Sequence, residues 1–107
     1  MIQEIQKQLA ELIQENHRGS TALFEAEKAL AEAEYDLDLA EQKAYIKAQG
    51  TVRDREAIAR LESADLRLQR DLKKAELNRI KQRIRSIETA SVVLSTQAKL
   101  LGQESRL

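Results

Sequence analysis

The sequence predicts an all-α protein folded as a long, coiled-coil-like antiparallel helical hairpin. Strong helix formers dominate its 107 residues, which include no proline and only three glycines, and apolar residues recur at three- and four-residue steps. The two halves of the chain carry opposite net charge: residues 1–50 hold 10 acidic and 5 basic groups, whereas residues 51–107 hold 8 and 13. An acidic arm and a basic arm attract each other when the chain folds back on itself, which favours the hairpin.

The three glycines divide the chain into its predicted helices. Gly50 follows one helical run and directly precedes Thr51. Glycine suits the position after a helix end, so we predict that the chain turns here, that Thr51 caps the next helix and that Asp54 bonds back to it. Gly19 is expected to break or kink the first arm. Gly102 is expected to end the last helix before a short, flexible C-terminal tail.

These boundaries predict one all-helical domain over residues 1–107. We predict helix 1 over about 2–18, helix 2 over about 20–49 and helix 3 over about 52–101. The chain doubles back at residue 50, so that helices 1 and 2 lie along helix 3.

Apolar residues at helical spacing predict how these helices pack. Helix 2 repeats leucine every seven residues, and the second half of helix 3 has a regular heptad seam. The first half of helix 3 presents its leucines on a face rotated by roughly 120°, counting about 100° per residue. We therefore expect helix 2 to cover the first half of helix 3 and helix 1 to cover the second. The predicted seam comprises Leu23, Leu30, Leu37, Leu61, Leu68, Leu72, Leu77, Ile80, Ile84, Ile87, Leu94 and Leu101.

Self-association is expected because the two arms of the hairpin bury only one seam between them. Small bundles need more apolar burial than this to offset the entropy of the chain. We therefore expect two hairpins to dimerise into a four-helix bundle, with Phe24 and Tyr45 among the candidates for the second interface. A compact three-helix monomer is the alternative.

A row of cations on helix 3 is the strongest chemical feature of the sequence. Its members recur at three-, four- and seven-residue steps and so share one face of the helix, and such a row can follow nucleic-acid phosphates. Alternatively, the row is a solvated flank that pairs with the abundant carboxylates of helix 2. No aromatic residue is interleaved, so base stacking is not expected. The predicted basic stripe, for nucleic acid or an acidic partner, comprises Arg60, Arg67, Arg70, Lys74, Lys81 and Arg85.

Catalytic, cofactor and metal sites are not expected, and neither is a small-molecule ligand. The chain has no cysteine and one histidine, and His17 lacks convergent partners at ligand spacing. The carboxylates of helix 2, such as Glu32 and Asp36, follow no metal-loop spacing and are expected to form a solvated or paired face. No stretch approaches the roughly 18 apolar residues of a membrane span. We expect a soluble, cytoplasmic protein that is not an enzyme and does not contact a membrane.

The stretch from residue 44 to residue 100 resembles small helical, coiled-coil proteins encoded by tailed bacteriophages and prophages. The resemblance is carried by the turn "AQGTV" with "REA" after it, by "ADLRL", and by the basic run "KQRIRSI" that precedes a small-residue tail. It covers just over half of the chain and is a pattern of helix-forming residues. It implies a phage or prophage origin and action in the host cytoplasm, and it assigns no catalytic residues.

The function expected from these observations is that of a non-catalytic helical interaction protein. It self-associates and binds a host or phage macromolecule, with a protein as the favoured partner through helix-on-helix packing. The alternative is a nucleic-acid-binding accessory factor in phage DNA metabolism that uses the basic stripe.

Overall fold

The computed structural model describes the backbone of residues 1–104 and the side chains of residues 1–102. It contains three helices, α1 Ile2–Lys47, α2 Val52–Glu62 and α3 Ala64–Glu104, and no strand among the described residues. The predicted all-α helical hairpin is confirmed. The C-terminal tail from residue 105 onwards lies outside the described residues, and dimerisation stays a prediction.

The turn between α1 and α2 has the chemistry that the sequence predicts. Gly50 has a φ of 114°, a conformation that favours glycine. Thr51 is the N-cap of α2: its Oγ1 accepts a hydrogen bond from the backbone nitrogen of Asp54 at 3.1 Å. The Asp54 carboxylate accepts in return from the Thr51 nitrogen at 3.3 Å. This capping box satisfies exposed N–H groups at the start of α2 and sets where the chain reverses.

Substitution of Gly50 by alanine tests the turn. A Cβ at this position would lie 3.1 Å from the Asp54 carboxylate in a backbone conformation that L residues rarely adopt, so we expect the free energy of unfolding to fall by about 1–2 kcal/mol. Gly102→Ala is the matched control, because Gly102 lies inside α3 and a Cβ added there would have nothing within 4 Å. That change should leave stability equal or raise it by up to about 1 kcal/mol. Urea unfolding followed by circular dichroism measures both, and equal effects of the two substitutions would contradict the assignment.

The predicted break at Gly19 is wrong, because α1 is continuous from Ile2 to Lys47. The hydroxyl of Ser20, a residue suited to capping a new helix, instead donates to the carbonyl of Asn16 at 3.1 Å. A Cβ on Gly19 would lie 3.1 Å from Cγ1 of Ile84. Glycine costs a helix about 1 kcal/mol relative to alanine, and here its missing side chain allows close packing against α3.

Two further boundaries differ from the prediction. Helix α3 passes through Gly102 as far as Glu104, the last residue whose backbone is described, so Gly102 does not end the last helix. The predicted helix 3 is divided at Ser63 into α2 and α3. Ser63 has φ −96° and ψ 8°, and its hydroxyl donates to the Ala59 carbonyl at 2.7 Å, a back-bond that bends helices. Backbone hydrogen bonds still link Ser63 to Ala59 and to Arg67, so the interruption is limited to one residue.

The contacts within the chain divide it into two compact units. The turn unit is residues 25–78, and the terminal unit is residues 1–24 with residues 79–107. The single-domain prediction stays a prediction. In the turn unit the buried residues are Ala26, Leu37, Ala44, Ala59, Ser63 and Leu77, and in the terminal unit Ile87 is buried.

Nine of the twelve predicted seam residues are buried or half-buried, and three are exposed. Leu37, Leu77 and Ile87 are buried, and Leu23, Leu30, Ile80, Ile84, Leu94 and Leu101 are half-buried. By contrast, Leu61, Leu68 and Leu72 are 78%, 56% and 55% exposed. The observed seam continues backwards from Leu77 in the same heptad register as the later part of α3. In this stretch the seam includes the apolar residues Leu66 and Ala59 and three polar residues that a search for apolar side chains passes over, Lys73, Arg70 and Ser63.

Long cationic side chains occupy part of this seam. Arg70 and Lys73 are half-buried, and such residues pack their methylene stems against apolar neighbours while the charged ends reach water. Within the turn unit, the buried and half-buried residues from Ala59 to Leu77 follow one heptad register, so the packing face predicted for this stretch is wrong. Among the described helices, none is both long enough and apolar enough to cross a membrane.

Candidate interaction surfaces

An exposed apolar row on α2 and α3 is the principal candidate surface. We call Ile58, Leu61, Leu68, Leu72 and Ala75 the outer apolar stripe; each is exposed. Their steps of three, seven, four and three residues place them on one helical face at heptad spacing. The open position between Leu61 and Leu68 is filled by Asp65, which is also exposed.

The stripe faces outward because the opposite face of the same helices is already packed. Leu61 follows the buried Ala59 by two residues, and Leu68 follows Leu66 by two. Two residues correspond to about 200° around a helix. The side of α2 and α3 that carries the stripe is therefore turned away from α1.

A second apolar row lies on the outer side of α1 in the turn unit. We call Tyr35, Leu39 and Ile46 the α1 outer row; they are 67%, 39% and 73% exposed. Each follows a seam residue by two, as Leu39 follows the buried Leu37. Gln42 occupies the position between Leu39 and Ile46 and is exposed. The two arms of the turn unit thus each carry an apolar row on the side away from the other arm.

Polar contacts across the turn unit set the two arms in register. The Arg67 guanidinium donates to Glu41 Oε1 at 2.7 Å and to Ser63 Oγ at 3.2 Å. Its other terminal nitrogen donates to the Arg60 carbonyl near the end of α2 at 3.2 Å. Ser63 is only 1% exposed. This Glu41–Ser63–Arg67 cluster places residue 41 of α1 level with residues 63–67.

Closer to the turn, an arginine ties α2 to α1. The Arg55 guanidinium donates to the Tyr45 carbonyl at 3.2 Å and 3.3 Å and lies over the Tyr45 ring, 4.4 Å from its centroid. Tyr45, expected as a candidate for a second interface, is therefore half-buried in a contact within the hairpin.

The basic stripe is not neutralised by the acidic arm. Arg67 is its one member with an ion pair to α1 among the described residues, and Arg70 pairs with its neighbour Asp71 at 3.0 Å. Arg60 and Lys74 in the turn unit are exposed, and no carboxylate of the described residues lies within 4 Å of either. In the terminal unit, Lys81 and Arg85 are exposed and likewise have no such partner. Within the described part of the chain, the expected pairing with acidic residues of α1 is therefore found for Arg67 and for no other member of the basic stripe.

An open cleft of about 520 Å³ lies beside the seam in the turn unit. Small residues such as Ala59 form part of it, and its charged lining includes Glu41, Glu56, Arg53 and Arg60. Arg53 precedes Arg60 by seven residues and extends the spacing of the basic stripe towards the turn, although the predicted stripe omits it. The lining includes both acidic and basic groups, so the cleft has no single charge preference.

The described residues bring together no group of three or more metal-ligating side chains. The fold and its surfaces define the class of the protein as an antiparallel helical hairpin with a coiled-coil-like seam. No family model matches the chain, and no match was found among curated proteins or solved structures. The likeness to phage proteins therefore stays a prediction.

Proposed function

We propose that this chain is a non-catalytic helical interaction protein that docks a helix of a protein partner along the outer apolar stripe. The observation that carries the proposal is the exposure of three leucines, Leu61, Leu68 and Leu72, in one heptad-spaced row. Exposed apolar patches are typical of protein interaction sites. The proposal includes self-association and, from the sequence resemblance, a phage or prophage origin with action in the host cytoplasm.

The spacing of the stripe specifies what kind of partner fits. From Ile58 to Ala75 the row covers 17 residue steps, about 25 Å at 1.5 Å per residue. A partner helix with apolar residues at three- and four-residue steps matches such a row. Asp65 interrupts the stripe, so the partner must present a polar or basic side chain at that point, which discriminates among apolar helices.

Site-specific photocrosslinking tests the docking surface. A photoreactive phenylalanine analogue replaces Leu68, and the matched control carries it at the exposed neighbour Gln69. In nuclease-treated lysate of the host cell, we expect a discrete protein adduct from position 68 and at least tenfold less from position 69. Leu61→Gln and Leu72→Gln together should remove the adduct at position 68, because the docking row loses most of its apolar area. Equal labelling from positions 68 and 69 would contradict the proposal.

Nucleic-acid binding is the second candidate, and the unpaired state of Arg60 and Lys74 among the described residues supports it. Replacing both by glutamate should abolish a gel shift at low salt, because binding of this kind depends on phosphate contacts. Lys28→Glu with Lys43→Glu is the control, since these exposed lysines of α1 undergo the same change of charge. The control should still shift the nucleic acid, and affinity should fall steeply with salt. A wild-type protein that gives no shift at low salt would exclude this candidate.

A further inference from the structure

We propose that the occupant of the outer apolar stripe is the α1 outer row of a second copy of this chain. The proposal rests on the docking surface of the proposed function and names its partner. The contact joins two different surfaces, so each copy offers one row and receives the other. The product is a row or ring of side-by-side hairpins rather than a closed dimer.

The pattern of apolar and polar residues in the two rows supports this pairing. When α1 of one copy runs antiparallel to α3 of the next, one register places Ile46 opposite Leu61 and Leu39 opposite Leu68. The same register places Tyr35 opposite Leu72, so three apolar pairs form in succession. Shifting either helix by one heptad breaks this match.

The polar residue that interrupts each row also lies opposite the other in this register. Gln42 interrupts the α1 outer row and Asp65 interrupts the stripe, and both are exposed. The register that pairs the apolar residues places Gln42 opposite Asp65. The amide can donate a hydrogen bond to the carboxylate, so neither polar group is left buried without a partner.

The position of the second copy along the helix axis is consistent with side-by-side packing. Within one chain, Glu41 contacts Ser63 and Arg67, which places it level with the residues around 65. Between copies, Gln42 would lie level with Asp65. The contact within a chain and the contact between chains therefore need nearly the same alignment of α1 and α3, and the neighbouring hairpin can lie alongside with almost no axial offset.

Charge also favours the unlike pairing. Residues 25–47 of α1 carry seven acidic and three basic groups, a net charge of −4, and residues 52–78 carry six acidic and seven basic groups, a net charge of +1. Two α1 faces repel each other, and two copies of the segment 52–78 both carry a net positive charge. An α1 face against a stripe is the one combination with opposite net charges.

Mixing two variants, each with one of the two rows disabled, distinguishes this assembly from a closed dimer and from other modes of self-association. We call these the blocked variants. Tyr35→Gln with Leu39→Gln disables the α1 outer row, and Leu68→Gln with Leu72→Gln disables the stripe. By sedimentation equilibrium, wild-type protein should exceed the mass of a dimer, whereas each variant alone should associate at least tenfold more weakly. An equimolar mixture should form a dimer of about twice 12.2 kDa and no larger species, because one intact contact remains. Ile13→Gln with Val93→Gln is the control: these exposed apolar residues lie in the terminal unit, and the protein should assemble like wild type.

Three results would overturn the proposal. The first is a wild-type protein that keeps the monomer mass of 12.2 kDa throughout the micromolar range. The second is a variant with Tyr35→Gln and Leu39→Gln that associates with itself as strongly as wild type. The third is an equimolar mixture of the two blocked variants that stays monomeric. If wild-type protein is monomeric while position 68 still gives an adduct with another protein, this inference fails and the proposed function stands. If position 68 gives no specific adduct either, both fail.

Disulfide formation supplies a measurement that does not depend on the stability of the blocked variants. The chain has no cysteine, so Gln42→Cys and Asp65→Cys proteins can be mixed and oxidised. We expect the mixed disulfide to form at least tenfold faster than with Gln69→Cys in place of Asp65→Cys. Equal rates would contradict the register.

Discussion

Replacing Leu77 by alanine is expected to lower the free energy of unfolding by about 3 kcal/mol. Leu77 is 6% exposed and is one of the few large side chains buried in the turn unit. Its truncation removes apolar burial and leaves a cavity beside the small residues of the seam, and such changes cost about 2–5 kcal/mol. Urea unfolding at low protein concentration, followed by circular dichroism, measures the change.

Leu72→Ala is the matched control for this prediction. Leu72 is 55% exposed on the outer apolar stripe, so the same chemical change should cost the isolated chain less than about 1 kcal/mol. It should instead weaken docking at the stripe. If the two substitutions destabilise the monomer equally, the assignment of Leu77 to the seam and Leu72 to the stripe is wrong.

Replacing Ser63 by leucine is expected to destabilise the hairpin by about 2–3 kcal/mol, because a larger side chain would overpack the seam. Ser63 is 1% exposed at the junction of α2 and α3, and its hydroxyl accepts from Arg67 while lying 2.7 Å from the Ala59 carbonyl. The added volume would also separate Arg67 from Glu41.

Ser63→Ala distinguishes the effect of size from that of hydrogen bonding. Alanine keeps the seam small and favours helix, while it removes the hydroxyl that accepts from Arg67. We expect a cost below about 1 kcal/mol, well short of that of leucine. Thermal and urea unfolding of the two variants provide the comparison, and an alanine variant as unstable as the leucine variant would show that the hydroxyl, rather than the available space, governs the junction.

The hairpin turn could be predicted from the sequence because its signals are local. Gly50, Thr51 and Asp54 lie within five residues, and each is suited to its position by backbone conformation or by a short hydrogen bond. No distant contact is needed to make this turn favourable.

Gly19 shows why a similar local pattern can mislead. It also precedes a residue that can cap a helix, yet the reason for glycine lies across the hairpin, where Ile84 would contact a Cβ. The local sequence around Gly19 does not show that Ile84, which is distant along the chain, lies next to it. Gly102 misleads for a different reason: it occupies a helical position in α3, where an added Cβ would have nothing within 4 Å.

The packing face of α2 and the first half of α3 differs from the prediction for another reason. The prediction places the seam on the most apolar face of this stretch. The residues of that face, among them Ile58, Leu61, Leu68 and Leu72, are instead exposed and belong to the outer apolar stripe. A signal is present in the sequence: extending the later heptad register backwards from Leu77 reaches Arg70 and Ser63 in steps of seven. Hydrophobicity alone favours leucine over such residues, but small and long-stemmed polar side chains can fill a narrow antiparallel seam.

The candidate surfaces were predictable only in part. The spacing of the basic stripe is visible in the sequence, but the structural use of Arg67 in the Glu41–Ser63–Arg67 cluster depends on the register of the two arms. The apolar rows are visible as residues, and their role as outward surfaces depends on which face the seam occupies.

Thiol labelling most directly tests the claim that the hairpin buries one face of α3 against α1 and leaves the outer apolar stripe exposed to solvent. Single cysteines are placed at Leu68, Leu72 and Leu77 in this cysteine-free chain. In dilute protein, positions 68 and 72 should react at least tenfold faster than position 77, and added wild-type protein should slow positions 68 and 72 alone. Rapid reaction at position 77 together with protection at positions 68 and 72 in dilute protein would contradict this arrangement.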